Sequence, residues 1–151
     1  MTFMLSVRAI VLSLLMGAPA SADDAIARYP QYEWTRERVI AVDLDRNGLT
    51  DTIRLGVSFD QVGLLIDLGS TVLPLIEIPV DGSRQFGICP GASPTVGMVP
   101  QSEAPLNALG EMPRGYEACP TCMEITVGGG ECDPLHFYWD AVAGELAWWR
   151  A

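Results

Sequence analysis

The chain has 151 residues, of which 49% are hydrophobic, 19 are acidic and 9 are basic, for a formal charge of −10 without a single lysine. That balance makes nucleic acid and anionic membrane surfaces poor partners and leaves cations and basic proteins as the favoured ones. The length fits one ordinary domain with a core of its own.

The amino terminus reads as an export signal. Met1 to Arg8 carries one positive side chain, and residues 9–15 (AIVLSLL) form an apolar stretch too short to span a bilayer. Gly17 and Pro19 follow, and the triplet Ala20-Ser21-Ala22 stands before Asp23 and Asp24. An apolar core, a helix breaker and an A-x-A site form the pattern of a cleavable signal peptide. Cleavage after Ala22 removes residues 1–22 and, with Arg8, one positive charge. Residues 23–151 are then expected as a single β-rich domain, periplasmic or secreted. The absence of cysteine at the cleavage site predicts no lipid anchor, and no later stretch approaches eighteen apolar residues, so no membrane association is expected after cleavage.

Residues 23–33 (DDAIARYPQYE) lack a sustained period and contain Pro30, which predicts an irregular lead-in. Residues 38–44 (RVIAVDL) are rich in β-branched side chains and predict a strand. Asn47-Gly48 is a strong hairpin signal. Residues 51–57 (DTIRLGV) alternate, with Ile53, Leu55 and Val57 on one face, and residues 62–68 (VGLLIDL) put Leu64, Ile66 and Leu68 in register. Residues 71–80 alternate again, but Pro74 and Pro79 confine them to an edge or a bulge.

From 81 to 120 prolines and glycines replace periodicity, which predicts a long loop braced by disulfides. A short helix fits within it, with Ser102 as cap, Pro105 in the first turn and Gly110 at the end. Long loops of this kind are often functional, so this one is expected to carry a partner surface. Strand patterns return at 122–127, 135–139 and 145–150, the last two forming a hairpin. Alternation sends Trp139 and Trp148 to the core face and Tyr138 and Trp149 to the other, where an exposed Trp/Tyr/Arg cluster with Arg150 would suit a protein partner. About seven short strands and almost no helix predict an all-β fold: a twisted sheet, a small sandwich or a partly open barrel.

The sharpest motif is D-x-D-x-N-G-x-x-D at residues 43–51. A hard cation such as Ca²⁺ takes six to eight oxygens, and carboxylates at alternate positions of a tight loop supply them. Asp43, Asp45, Asn47 and Asp51 would contribute side-chain oxygens and Leu49 its carbonyl, while Gly48 permits the turn. The motif resembles the calcium loops of EF-hand and dockerin modules, and still more those of FG-GAP (integrin-type propeller) repeats, where such a loop joins two strands. The resemblance covers residues 40–55 in a single copy, with Arg54 where an EF-hand has its bidentate glutamate, and it implies a loop type rather than a fold. The competing account is a metal-free turn, because Asp-rich Asn-Gly sequences close turns by side-chain hydrogen bonds alone.

Cys89, Cys119, Cys122 and Cys132 are an even set, which in an exported domain predicts two structural disulfides among three possible connectivities. Cys119-Pro120-Thr121-Cys122 also spells the C-x-x-C of thiol–disulfide enzymes, but a strand pattern follows it rather than a helix. His136, the one histidine, is expected to be packed or solvated. Hydrolase, zinc-protease and nucleotide-binding motifs are absent from the sequence. The chain is therefore expected to be an exported, non-enzymatic binding or inhibitor-type domain, calcium-stabilised and acting on a basic protein such as a cell-wall hydrolase or toxin. The alternative is a thiol–disulfide oxidoreductase using Cys119 and Cys122.

Overall fold

The computed structural model describes residues 22–80, 87–101 and 110–150. Residues 1–21 of the expected signal segment therefore lie outside the described residues, as does nearly all of the helix expected near 102–110. Strands β1 (Glu33–Val42), β2 (Asp51–Val57), β3 (Gln61–Asp67) and β4 (Ile76–Pro79) form one antiparallel sheet in chain order. Strands β5 (Thr95–Gln101), β6 (Cys119–Gly128), β7 (Leu135–Asp140) and β8 (Glu145–Trp149) form a second. Each sheet is a meander, and the two stack as a sandwich.

Alternation drives the stacking. Ile53 and Leu55 of β2, Val62, Leu64 and Ile66 of β3, and Ile78 of β4 meet Ile125 and Val127 of β6 and Leu135 and Phe137 of β7 in one buried cluster. Each such side chain contributes roughly 1.5–3 kcal/mol on burial. The all-β expectation holds, and the sandwich is the architecture adopted.

Several elements differ from the sequence pattern in instructive ways. The lead-in is not wholly irregular: Ala22–Ala27 forms a helix, α1, which lies against β3. Val62 to Ile66 are consecutively buried because α1 and the following chain cover the outer face, where Leu65 is 1% exposed. β1 begins five residues earlier than its β-branched core predicts and carries a register shift between Trp34 and Val39. The 81–120 stretch contains an eighth strand, β5, as an edge of the second sheet. Pro94, Gly97 and Pro100 hide that strand in the sequence, and an edge is where a strand tolerates proline.

The disulfides are Cys89–Cys132 and Cys119–Cys122. Cys89 precedes β5 and Cys132 lies in the β6–β7 turn, so the first bridge pins the 87–101 segment to the second sheet. A parallel bridge between Ile88 and Gly129 runs beside it, with Cys89 N donating to Gly129 O at 2.9 Å. Gly87 has φ +76°, and a Cβ there would lie 2.9 Å from Leu135 N, so the close approach requires glycine.

The sandwich is closed along one side, where β1 and β5 are in contact. On that side the β1–β2 connection carries the Asp-rich loop.

Candidate metal centre

Val42 pairs with Asp51, so the chain from 43 to 50 forms one loop between β1 and β2. The hairpin signalled by Asn47-Gly48 is real, but the loop is longer than a two-residue turn. Leu44 anchors it by inserting into the core at 2% exposure. With Leu44 turned inward, Asp43 and Asp45 on either side of it turn back toward Asp51. One carboxylate oxygen from each of the three aspartates lies within 4.8 Å of the others.

The loop satisfies most of its own polar groups. Leu44 N donates to Asp51 Oδ2 at 2.7 Å, and Asp45 N approaches the same oxygen at 3.3 Å. Asp45 Oδ1 accepts from Asn47 N at 3.1 Å, and Asp43 Oδ2 accepts from Gly48 N at 3.0 Å. Asn47 is turned inside the loop: its amide donates to Asp45 Oδ2 at 2.9 Å and its carbonyl oxygen accepts from Leu49 N at 2.7 Å. Gly48 at φ +85° and Arg46 at φ 62° give the loop its two left-handed residues.

One oxygen stands apart. Asp51 is 0% exposed, and its Oδ1 has no hydrogen-bond partner. A buried acceptor left without a donor costs about 1–3 kcal/mol, and more when it carries charge. Burial pushes the Asp51 carboxyl above the usual aspartate range, and the charges of Asp45 and Asp43 push it the same way. The amides of Leu44 and Asp45 oppose that rise. Three carboxylates thus lie together, and one oxygen of the buried member lacks a hydrogen-bond donor. The cation nearest in sequence, Arg46, is directed elsewhere: its Nη2 donates to Gln101 Oε1 at 2.8 Å and its Nη1 lies 3.5 Å from Glu117 Oε2. A divalent cation is the species whose chemistry fits this donor set. Comparisons with protein-family models, curated proteins and solved structures returned no match to the chain.

The remaining candidates are distributed elsewhere. The C-x-x-C disulfide opens β6 opposite the end of β5, where Gln101 pairs with Cys119 but Pro100 pairs with Met123. The three residues after Cys119 form a bulge that the disulfide closes. The motif lies in a strand, so no helix N-terminus is present to lower a thiol pKa.

His136 lies on the outer face of the second sheet. Its Nδ1 hydrogen-bonds with Glu124 Oε1 at 2.7 Å, and its ring stacks on Trp149 at 4.1 Å. Trp149 Nε1 donates to Glu124 Oε2 at 3.2 Å, so both oxygens of a carboxylate only 1% exposed are bonded. Tyr138 packs edge-on against Tyr116 on the same face and donates to Arg114 O. Trp149 and Tyr138 occupy the face that alternation assigned them, yet Tyr138 is buried rather than exposed because the chain at 110–118 lies across it. Trp148, placed on the core face, is 59% exposed because β8 is an edge.

The sequence pattern did not single out Arg46, Gln101 or Glu117. An x position inside a metal-loop motif gives no signal of a long-range partner, and Gln101 lies in the strand that proline and glycine concealed.

Proposed function

We propose that the chain is an exported, non-enzymatic binding domain in which the 43–51 loop takes one Ca²⁺ as a structural staple. Its partner class is a basic protein, such as a cell-wall hydrolase or toxin. The observation that carries the metal is Asp51 Oδ1, buried and unpartnered beside the carboxylates of Asp43 and Asp45. Loop position also fits FG-GAP-type calcium loops, which join two strands. Asp43, Asp45 and Asp51 would supply carboxylates, and Asn47 and Leu49 would supply carbonyl oxygens once the Asn47 amide exchanges its turn contacts for the ion.

Export is supported by the signal-like first 22 residues and by two disulfides, which persist in oxidising compartments. Among the described residues no helix is long and apolar enough to cross a membrane. The basic partner is favoured by the charge of −10. His136 is stacked on Trp149 and bonded to Glu124, a packed histidine held in the outer face of the second sheet. The oxidoreductase alternative keeps one observation in its favour, a formed and partly exposed Cys119–Cys122 disulfide.

Thermal melting tests the metal. Millimolar Ca²⁺ should raise the midpoint relative to EGTA, and at a hundred times the dissociation constant the gain is about 2.7 kcal/mol. Asp45→Ala should remove the difference. Coincident wild-type curves in calcium and EGTA would leave the loop as a metal-free turn. An insulin-reduction assay separates the alternative: turnover lost in Cys119→Ser would favour the oxidoreductase.

A further inference from the structure

Among the described residues, β4 and β8 are the free edges of their sheets on the side opposite the β1–β5 closure, and no described strand closes the sandwich between them. The opening is an apolar cleft with two widenings. One, of about 200 Å³, has Ile78, Phe137 and Trp148 in its wall. The other, of about 370 Å³, is formed by Leu73, Trp139 and Leu146 with their neighbours. Ile76 borders both, so they are neighbours along β4.

We propose that this cleft binds an extended segment of a basic partner protein, which adds to β8 as a ninth strand of the second sheet. The proposal rests on the binding-domain function above and names the surface and the chemistry of its partner. Three observations carry it. First, β8 presents a five-residue edge without proline, whereas β4 has four residues and ends at Pro79, which has no N–H to offer. Backbone pairing is therefore available along β8, and an exposed edge of this kind is where a peptide strand adds. Second, the widenings lie beside Leu146 and Trp148, two residues apart on one face of β8. That spacing, about 7 Å, is also the spacing of same-face side chains in an added strand, so residues i and i+2 of the guest would fill the two widenings. Third, exposed Glu145 stands on one rim and Glu77, whose Oε1 accepts from the Tyr32 hydroxyl at 2.7 Å, borders the other, on a chain of charge −10. Lysine or arginine flanking the apolar pair is complementary, while a second copy of this chain brings like charge to the same rims.

The test is to pan a random peptide display library against the disulfide-intact mature protein in calcium, then measure the enriched peptides singly. Enriched sequences should place Val, Ile or Phe at i and i+2 with basic neighbours, and should slow amide exchange along β8. Trp148→Thr, at a side chain 59% exposed and therefore compatible with folding, should weaken them about tenfold or more. Glu145→Lys should weaken them too, and added salt should reduce the difference between it and wild type. Peptides that bind Trp148→Thr undiminished would overturn the cleft assignment while leaving the binding-domain function intact. Acidic consensus sequences, or none, would overturn it as well. A wild-type dimer that Trp148→Thr converts to monomer in sedimentation would replace the partner strand with a second copy.

Discussion

Asp51 is the residue on which the proposed metal centre depends, and its two oxygens have opposite fates. Oδ2 accepts the loop amides of Leu44 and Asp45, while Oδ1 is buried without a donor. Asp51→Asn keeps an acceptor for Leu44 N and replaces the orphaned oxygen with an amide NH2, removing a charge beside Asp43 and Asp45. In EGTA this variant is expected to match or exceed wild type in stability, and in calcium it should lose the increment that wild type gains. The pH dependence has a definite sign. Because burial raises the folded pKa of Asp51, the folded state without cation holds the proton longer than the unfolded one. Stability therefore falls as pH rises from the ordinary aspartate value of 3.8 through the raised one. Urea unfolding in EGTA across that window should show the wild-type-minus-Asn difference growing more unfavourable with pH. The D-x-D-x-N-G-x-x-D spacing was enough to find this residue, since alternate carboxylates around a glycine turn must face a common point. Its complete burial was not legible, because that depends on the second sheet and on Leu44 seating in the core.

At the scale of elements, the two disulfides are unequal. Cys89–Cys132 closes a separation of 43 residues and Cys119–Cys122 a separation of 3. On chain-entropy grounds the first should contribute about 4 kcal/mol and the second about 2 kcal/mol. Replacing Cys89 and Cys132 together by alanine is thus expected to lower the urea midpoint roughly twice as far as replacing Cys119 and Cys122. Equal losses would mean that the small bridge has a larger part than closing a bulge. The pairing itself could not be read from four cysteines, because it follows from the 87–101 segment lying along the β6–β7 turn. Strands β2, β3, β7 and β8 were legible to within a residue or so, since in each the sequence alternates large apolar side chains toward one face. β5 was not, because at an edge a proline costs no ladder bond and its pattern resembles a loop. The helix α1 was concealed for a related reason: six residues are too few to display a helical period.

Across the whole molecule, Arg46 links the Asp-rich loop to the second sheet through Gln101 and Glu117. Its pair with Glu117, 64% exposed, contributes little, while its bond to buried Gln101 contributes more. It also holds φ at 62°, a conformation that costs a residue with a Cβ about 1 kcal/mol or more. Both replacements lose the Gln101 bond, so Arg46→Gly should be more stable than Arg46→Ala by about 1 kcal/mol in chemical denaturation. Equal stabilities would show that the loop relaxes out of the left-handed turn when its tie to the second sheet is cut. Among the described residues the sandwich thereby has one closed side, tied through Arg46, and one open side between β4 and β8. The acidic character was legible from composition. The open cleft was not, since it depends on which strands end each sheet.

The most direct measurement is isothermal titration of Ca²⁺ into EGTA-stripped, disulfide-intact mature protein, for wild type and Asp51→Asn in parallel. One ion per chain in wild type, with no saturable heat in the variant, is the expected result. No saturable binding to wild type, or a stoichiometry and affinity unchanged by Asp51→Asn, would contradict a cation held at Asp43, Asp45 and Asp51.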